Sequence, residues 1–322
     1  VQMYMTNYVF AEPLILYNAD GTVEPWLAES WDFSNGNKTI TFHLRKNVKF
    51  HDGTTFNADA VKFQFDYCIA ENKAVSTNWA SVEIVDDYTV NLNLKEFKNS
   101  VWDDLRNKNC MIVSPTNVRN NGLDYAREHP VGTGPFKFVS FERDVSSIFE
   151  KNTDYWQEGK PYLDKLEFIF VKEMTTQKTL MQTGDGHVLT ALGGRDLFDM
   201  QNLGFDTYTF AAGVEVLEPD SANPDSIFAD KNVRLAIDYA IDRTSICDAL
   251  GYGFMYPNNQ IIPNPFAAFN PDIPMREYSV EKAKALLAEA GYPDGFETTL
   301  LTQAMFSQLA LVVQEQLKLV GI

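Results

Sequence analysis

Residues 24–31 read EPWLAESW and residues 41–65 read TFHLRKNVKFHDGTTFNADAVKFQF, and the second stretch changes its hydrophobic period midway. Ile40, Phe42 and Leu44 alternate with Thr41, His43 and Arg45. A period of two predicts a strand with one buried face. Asn57 then stands where an N-cap belongs, and Val61, Phe65, Cys68 and Ile69 follow at helical spacing. A one-sided strand feeding a helix that covers it is the unit of layered α/β architecture.

The same signals recur outward from this block. Val90, Leu92 and Leu94 alternate with Asn91, Asn93 and Lys95 after a turn at Asp86-Asp87. Leu166–Val171 is apolar or aromatic at nearly every position, which predicts a strand in a central sheet covered on both faces. Asp230 is a second N-cap, leading into Val233, Ile237, Ala240 and Ile241. A further helix starts after Ser279, buries Ala283, Leu286, Leu287 and Ala290, and stops at Gly291 with Pro293 beyond. Leu309, Val312, Val313, Leu317 and Val320 mark a last amphipathic helix, while residues 204–230 are loop-rich in Gly, Pro, Asp, Asn and Ser.

The chain has 322 residues, enough for about two domains. Its charge balance is 27 − 44 = −17, which repels phosphates and argues against nucleic acid or anionic lipid as partner. No apolar run is long enough to cross a bilayer, and no segment is repeated or of low complexity. Cys68, Cys110 and Cys247 are odd in number and scattered, so neither a disulfide framework nor a zinc site is signalled. Cys68 and Cys247 fall in helical patterns as small buried hydrophobes.

Motifs for chemistry are missing from the sequence. Gly132-Thr133-Gly134-Pro135-Phe136-Lys137 lacks phosphate-loop spacing, and Pro135 removes a backbone donor; a turn into a strand is expected, with Phe136 and Phe138 facing one side. His43, His51, His129 and His187 are isolated, so no metal bound by side chains is expected, and His187 reads as an exposed loop residue. Asp220, Asn223 and Asp225 lack the register of a calcium loop and read as an Asx-capped turn. There is no G-x-S-x-G elbow and no S-x-x-K. No enzyme and no cofactor are expected.

Three more blocks complete the pattern: VGTGPF at 131–136, FADKNVRLAIDYAIDR at 228–243 and YSVEKAKALLAEAGYPDGF at 278–296. In this order the blocks resemble the family 5 solute-binding proteins of ABC importers, the peptide- and nickel-binding group, over essentially the whole chain. The resemblance implies a bilobal α/β fold of the periplasmic-binding-protein kind, type II, of the large cluster with an inserted subdomain. Lobe I would span 1–204, with the insertion at roughly 52–128, and lobe II would span 205–322. Both ends read as cut: the chain opens at Val1 without a signal peptide, and lobe II is incomplete at the C-terminus. The implied function is an extracytoplasmic receptor, periplasmic or lipid-anchored to the outer face of the cytoplasmic membrane. It would close on an oligopeptide between its lobes and deliver it, as a monomer, to the transmembrane subunits of an ABC permease. A nickel chelate, an oligosaccharide or another organic solute is the alternative ligand, and a hydrolase acting on a cleft-bound substrate is the competing class. Closure needs only tighter contact in the closed state, about 5.5 kcal/mol to move from one closed molecule in a hundred to ninety-nine.

The resemblance also nominates contacts. Met3, Tyr4 and Met5 occupy the segment that faces the cleft in the family, where a flexible thioether and a rigid amphipathic ring suit varied ligands. Trp79 falls in the loop of the inserted subdomain that often supplies an aromatic wall, and Tyr256 falls on the lobe II side. The arginine that many dipeptide binders carry near the last helix is not evident in Thr302-Gln303-Ala304-Met305-Phe306.

Overall fold

A computed structural model describes residues 7–18, 20–190, 192–210, 213–264, 266 and 268–322. The chain forms two compact units, Val1–Met174 and Thr175–Ile322. The lobe boundary expected at 204/205 lies inside the second of these.

The first unit begins with the short helix α1 (Asn7–Phe10) and the hairpin β1 (Ile15–Tyr17) and β2 (Val23–Pro25). Strands β3 (Ala28–Ser34), β4 (Thr39–Leu44), β5 (Trp79–Asp86) and β6 (Thr89–Leu94) form an antiparallel sheet in the order β3-β4-β6-β5. The expected alternation of β4 and β6 holds: Ile40 faces Leu92 and Phe42 faces Val90 across the ladder, and all four are buried. On the other face Thr39 and Thr41 donate to Asn93 and Asn91 at 2.9 and 2.8 Å. Helix α2 (Ala58–Ala70) starts where Asn57 accepts the Ala60 N–H, and it lays Val61, Phe65 and Cys68 into the core above the sheet. Strands β5 and β6 lie within the expected insertion at 52–128, yet they share one sheet with β3 and β4.

Helices α3 (Val101–Leu105), α4 (Pro115–Asn121) and α5 (Leu123–Glu128) follow, then an antiparallel sheet of β7 (Phe136–Glu142), β8 (Ser146–Lys151) and β9 (Lys165–Ile169) in that order. The 132–137 segment is a turn into β7, as expected. Gly132 and Gly134 are required there because a Cβ would lie 2.0 Å from the Phe10 carbonyl oxygen at the first and 2.7 Å from its carbonyl carbon at the second. The expectation for Leu166–Val171 fails. Strand β9 is at the edge of its three-stranded sheet, with exposed Lys165, Glu167 and Ile169 alternating with half-buried Leu166 and Phe168. Glu167 already breaks the apolar run, and one sheet face packs Leu166 and Phe168 against Phe149.

Among the described residues the second unit is helical: α6 (Met174–Thr183), α7 (Gly194–Asn202), α8 (Lys231–Ala240), α9 (Arg243–Gly251), α10 (Val280–Glu289) and α11 (Ser307–Lys318). Asp230 caps α8 through the Asn232 N–H, and Ser279 caps α10 through the Lys282 N–H. Helix α10 ends on Gly291 at φ +90°, with the Tyr292 N–H donating to Leu287 O at 2.8 Å and Gly291 N–H to Ala288 O at 3.1 Å. Ala236, Ala240 and Ala283 let α8 and α10 approach closely around Leu287 and Val320. Residues 205–226 carry no helix or strand among those described, matching the expected loop.

Candidate functional site

The segment leading out of α1 is fastened by backbone before any side chain acts. Gly134 N–H donates to Phe10 O at 2.9 Å, and Ile112 N–H donates to Glu12 O at 2.9 Å. Glu12 is 3% exposed, an acid placed among apolar neighbours. Four donors converge on its carboxyl. Trp26 Nε1 and the Tyr155 hydroxyl donate to Oε1 at 2.9 and 2.6 Å. The Thr133 hydroxyl and Trp156 Nε1 donate to Oε2 at 2.8 and 3.0 Å. Arg45 forms the layer behind: its Nε donates to Trp26 O at 2.6 Å, and its guanidinium lies 4.7 Å from the Trp156 ring centre.

Burial dominates the electrostatics of this node. It pushes the Glu12 carboxyl above its usual range, against the hydrogen bonds of Tyr155, Thr133, Trp156 and Trp26. The Tyr155 phenol is pushed up by burial and then by the carboxyl beside it. Every donor here is engaged by Glu12, so the node fixes the chain around residues 7–12.

His51 secures the same turn from the other side. Its Nε2 lies 2.9 Å from Gly134 O, and Gly132 N–H donates to Nδ1 at 3.4 Å, which assigns the proton to Nε2. Burial lowers its pKa to about 4, outweighing the Gly134 contact, so the ring is neutral at pH 7.

The second unit has ion pairs in place of such a node. Lys178 on α6 bridges Asp196 and Asp199 on α7 at 2.7 and 2.8 Å. Asp238 on α8 pairs with both Arg243 and Arg276. Asn223 donates to Asp220 at 3.2 Å and accepts the Asp225 N–H at 3.1 Å, the expected Asx-capped turn. His187 is exposed, as expected. Among the described residues no three His, Cys, Asp or Glu side chains converge to hold a metal ion.

The nominated contacts divide sharply. Met3, Tyr4 and Met5 lie outside the described residues. Trp79 was expected in a loop as a ligand wall; it opens β5 instead, is 1% exposed, and rests on Phe65 with ring centres 4.8 Å apart. The correction follows from its strand position, which turns the indole into the core between the sheet and α2. Tyr256 sits in the loop after α9 and is 81% exposed. Glu12 was missed by sequence reasoning. Its only signal was a lone acid inside the apolar run Val9-Phe10-Ala11-Glu12-Pro13-Leu14.

A family model described as bacterial extracellular solute-binding proteins, family 5 Middle, matches residues 22–322. The chain is similar to the glutathione-binding protein GsiB of Pectobacterium atrosepticum, 31% identical over 326 positions, covering 97% of this chain and 62% of that protein. It therefore spans less than two thirds of that relative's length. Among solved structures it resembles the ABC transporter-associated periplasmic binding protein DppA of Helicobacter pylori in complex with peptide STSA. That likeness has a TM-score of 0.82 at 28% identity, covering 99% of this chain and 68% of DppA. NikA of Brucella suis in complex with Fe(III)-EDTA gives a TM-score of 0.85 at 25% identity, covering 99% and 69%. These matches are binding proteins, not enzymes.

Proposed function

Because the chain belongs to the bacterial extracellular solute-binding proteins, family 5, we propose that it is an extracytoplasmic receptor that captures an organic solute and presents it to the transmembrane subunits of an ABC permease. The observation that carries this is the family match over residues 22–322. The α/β fold is that of periplasmic binding proteins, shared with DppA and NikA over nearly the whole chain. No helix among the described residues is long and apolar enough to cross a membrane, which accords with delivery to a separate permease.

An oligopeptide is the first ligand class. The solved neighbour DppA carries the peptide STSA, and GsiB is named for glutathione, itself a peptide. A peptide offers backbone donors and acceptors that pair in strand fashion and leave its side chains to roomy pockets. A metal chelate is the second reading, favoured by the likeness to NikA with its Fe(III)-EDTA. Met3, Tyr4, Met5 and Tyr256 are the proposed contacts. Trp79 is withdrawn from them. Lobes of 1–204 and 205–322, a monomeric state, and a periplasmic or lipid-anchored location belong to the same proposal.

A thermal-shift screen of peptides, metal chelates and oligosaccharides tests the ligand class. A true ligand binds the folded state and raises the melting temperature with concentration. A rise with peptides alone supports the first reading, and a rise with chelates alone replaces it with the second.

A further inference from the structure

The cysteines that are scattered in sequence are not scattered in the fold. Cys68 lies in the last turn of α2 and Cys110 ends the 3-10 turn Lys108–Cys110; they are 0% and 1% exposed within one core. The Cys68 thiol donates at 3.2 Å to the carbonyl of Asn109, the residue bonded to the Cys110 nitrogen, and Gln64 Nε2 donates to the same oxygen at 2.8 Å. Because Asn109 adjoins Cys110 in the chain, the Cys68 bond makes the two cysteines neighbours within the same core. Cys110 is held from its other side, its thiol donating to Asp104 O at 3.1 Å and its N–H to Asn107 O at 2.8 Å. Ser76 anchors the Cys68 end through its hydroxyl, 2.7 Å from Cys68 O.

We propose that Cys68 and Cys110 form an intramolecular disulfide in the mature protein, tying α2 to the Lys108–Cys110 turn, a proposal that rests on the extracytoplasmic setting put forward above. Thiols persist as thiols in reducing compartments, whereas adjacent pairs are oxidised outside the cytoplasm. The oxidant required is a disulfide-bearing thiol carrier of that compartment. The Cys68 thiolate attacks one carrier sulfur, forming a mixed disulfide and releasing the first carrier thiol. The Cys110 thiolate then attacks the Cys68 sulfur, closing the protein disulfide and releasing the second carrier thiol. Two protein thiols are oxidised, one carrier disulfide is reduced, and the two protons end on the carrier. Burial opposes ionisation of either thiol. Burial also sets the timing: exchange precedes final closure of the core, and the closed bond is then shielded from reductants. Cys247, in α9 of the second unit, has no such neighbour among the described thiols and takes no part in the disulfide.

Two preparations test this. The protein taken from its natural source, and the protein reduced and unfolded in denaturant and then refolded in a mixture of reduced and oxidised glutathione, are each denatured in alkylating agent without reductant and mapped by mass spectrometry. The expected product in both is a Cys68–Cys110 cross-linked peptide, two hydrogens lighter than the sum of its parts, with Cys247 alkylated or carrying glutathione. The melting temperature falls by several degrees on reduction, and Cys110→Ala abolishes that sensitivity. Free or glutathione-bearing Cys68 and Cys110 in both preparations would overturn the pairing itself. A cross-link with glutathione but free thiols in protein taken from its natural source would overturn the disulfide through its compartment, and would count against the receptor's location while leaving the pair geometry standing.

Discussion

The indole N–H of Trp156 donates to Oε2 of Glu12 at 3.0 Å across 144 positions of sequence. A Trp can only donate, and so can the second indole on this carboxyl, Trp26 on Oε1. Both carboxyl oxygens are therefore required as acceptors. Glu12→Gln would place an amide N–H against one indole or the other whichever way the amide turns. The expected loss is about 1–3 kcal/mol of stability for one unsatisfied buried donor, read from urea unfolding. A neutral outcome would mean that the node tolerates a donor and is not the anchor described here.

Stability should vary with pH through His51. Its pKa is lowered from 6.5 to about 4 in the fold, so its contribution is fully present above 6.5 and is lost as pH falls toward 4. Glu12 runs the other way: its raised value gives stability that is present below its usual 4.5 and is lost as pH rises through the shifted value. Unfolding followed from pH 7 to pH 4 should lose on the order of 2–3 kcal/mol through His51, and His51→Gln should remove that component. An unchanged profile in the variant would show that the ring is not held neutral.

Trp79 should behave as core. Trp79→Ala should cost about 3–5 kcal/mol of stability through the cavity beside Phe65. The indole N–H is buried without a partner among the described residues, so Trp79→Phe removes an unpaired donor along with some volume. It should cost only about 1–2 kcal/mol. Equal losses in the two variants would show that the indole nitrogen is satisfied.

Tyr256 tests the ligand proposal without touching the core. With 81% of its surface exposed, Tyr256→Ala should leave the melting temperature of the free protein unchanged. It should weaken binding of whichever solute the screen identifies by about 1–3 kcal/mol, read by calorimetry. Full affinity in the variant would remove Tyr256 from the site.

What the sequence disclosed was local. Asn57, Asp230 and Ser279 cap helices because a cap is a matter of three or four consecutive residues, and β4 and β6 follow their own alternation. Two strand readings failed on details that were present. Glu167 between Leu166 and Phe168 already signalled a one-sided edge strand, and Trp79, expected in a loop, opens a strand on which it and Val82 face the core. Glu12 could not be assembled in advance, since its partners Trp26, Thr133, Tyr155 and Trp156 are 14 to 144 residues away. The bond from the Cys68 thiol to the Asn109 carbonyl, beside Cys110, is long-range for the same reason. Family blocks reached further than local physics because they carry the whole topology at once, yet they put Trp79 in a ligand-facing loop where the chain forms the start of β5.

The receptor role is tested most directly by equilibrium dialysis of the protein against a mixed peptide pool, with the retained solute released by denaturation and identified by mass spectrometry. The expected result is saturable retention of one chemical class of solute, recovered intact and in proportion to protein. Recovery of cleaved or otherwise altered solute would contradict the account in favour of an enzyme. If neither peptides nor, in a parallel pool, metal chelates and oligosaccharides are retained at any concentration, the receptor function itself is contradicted.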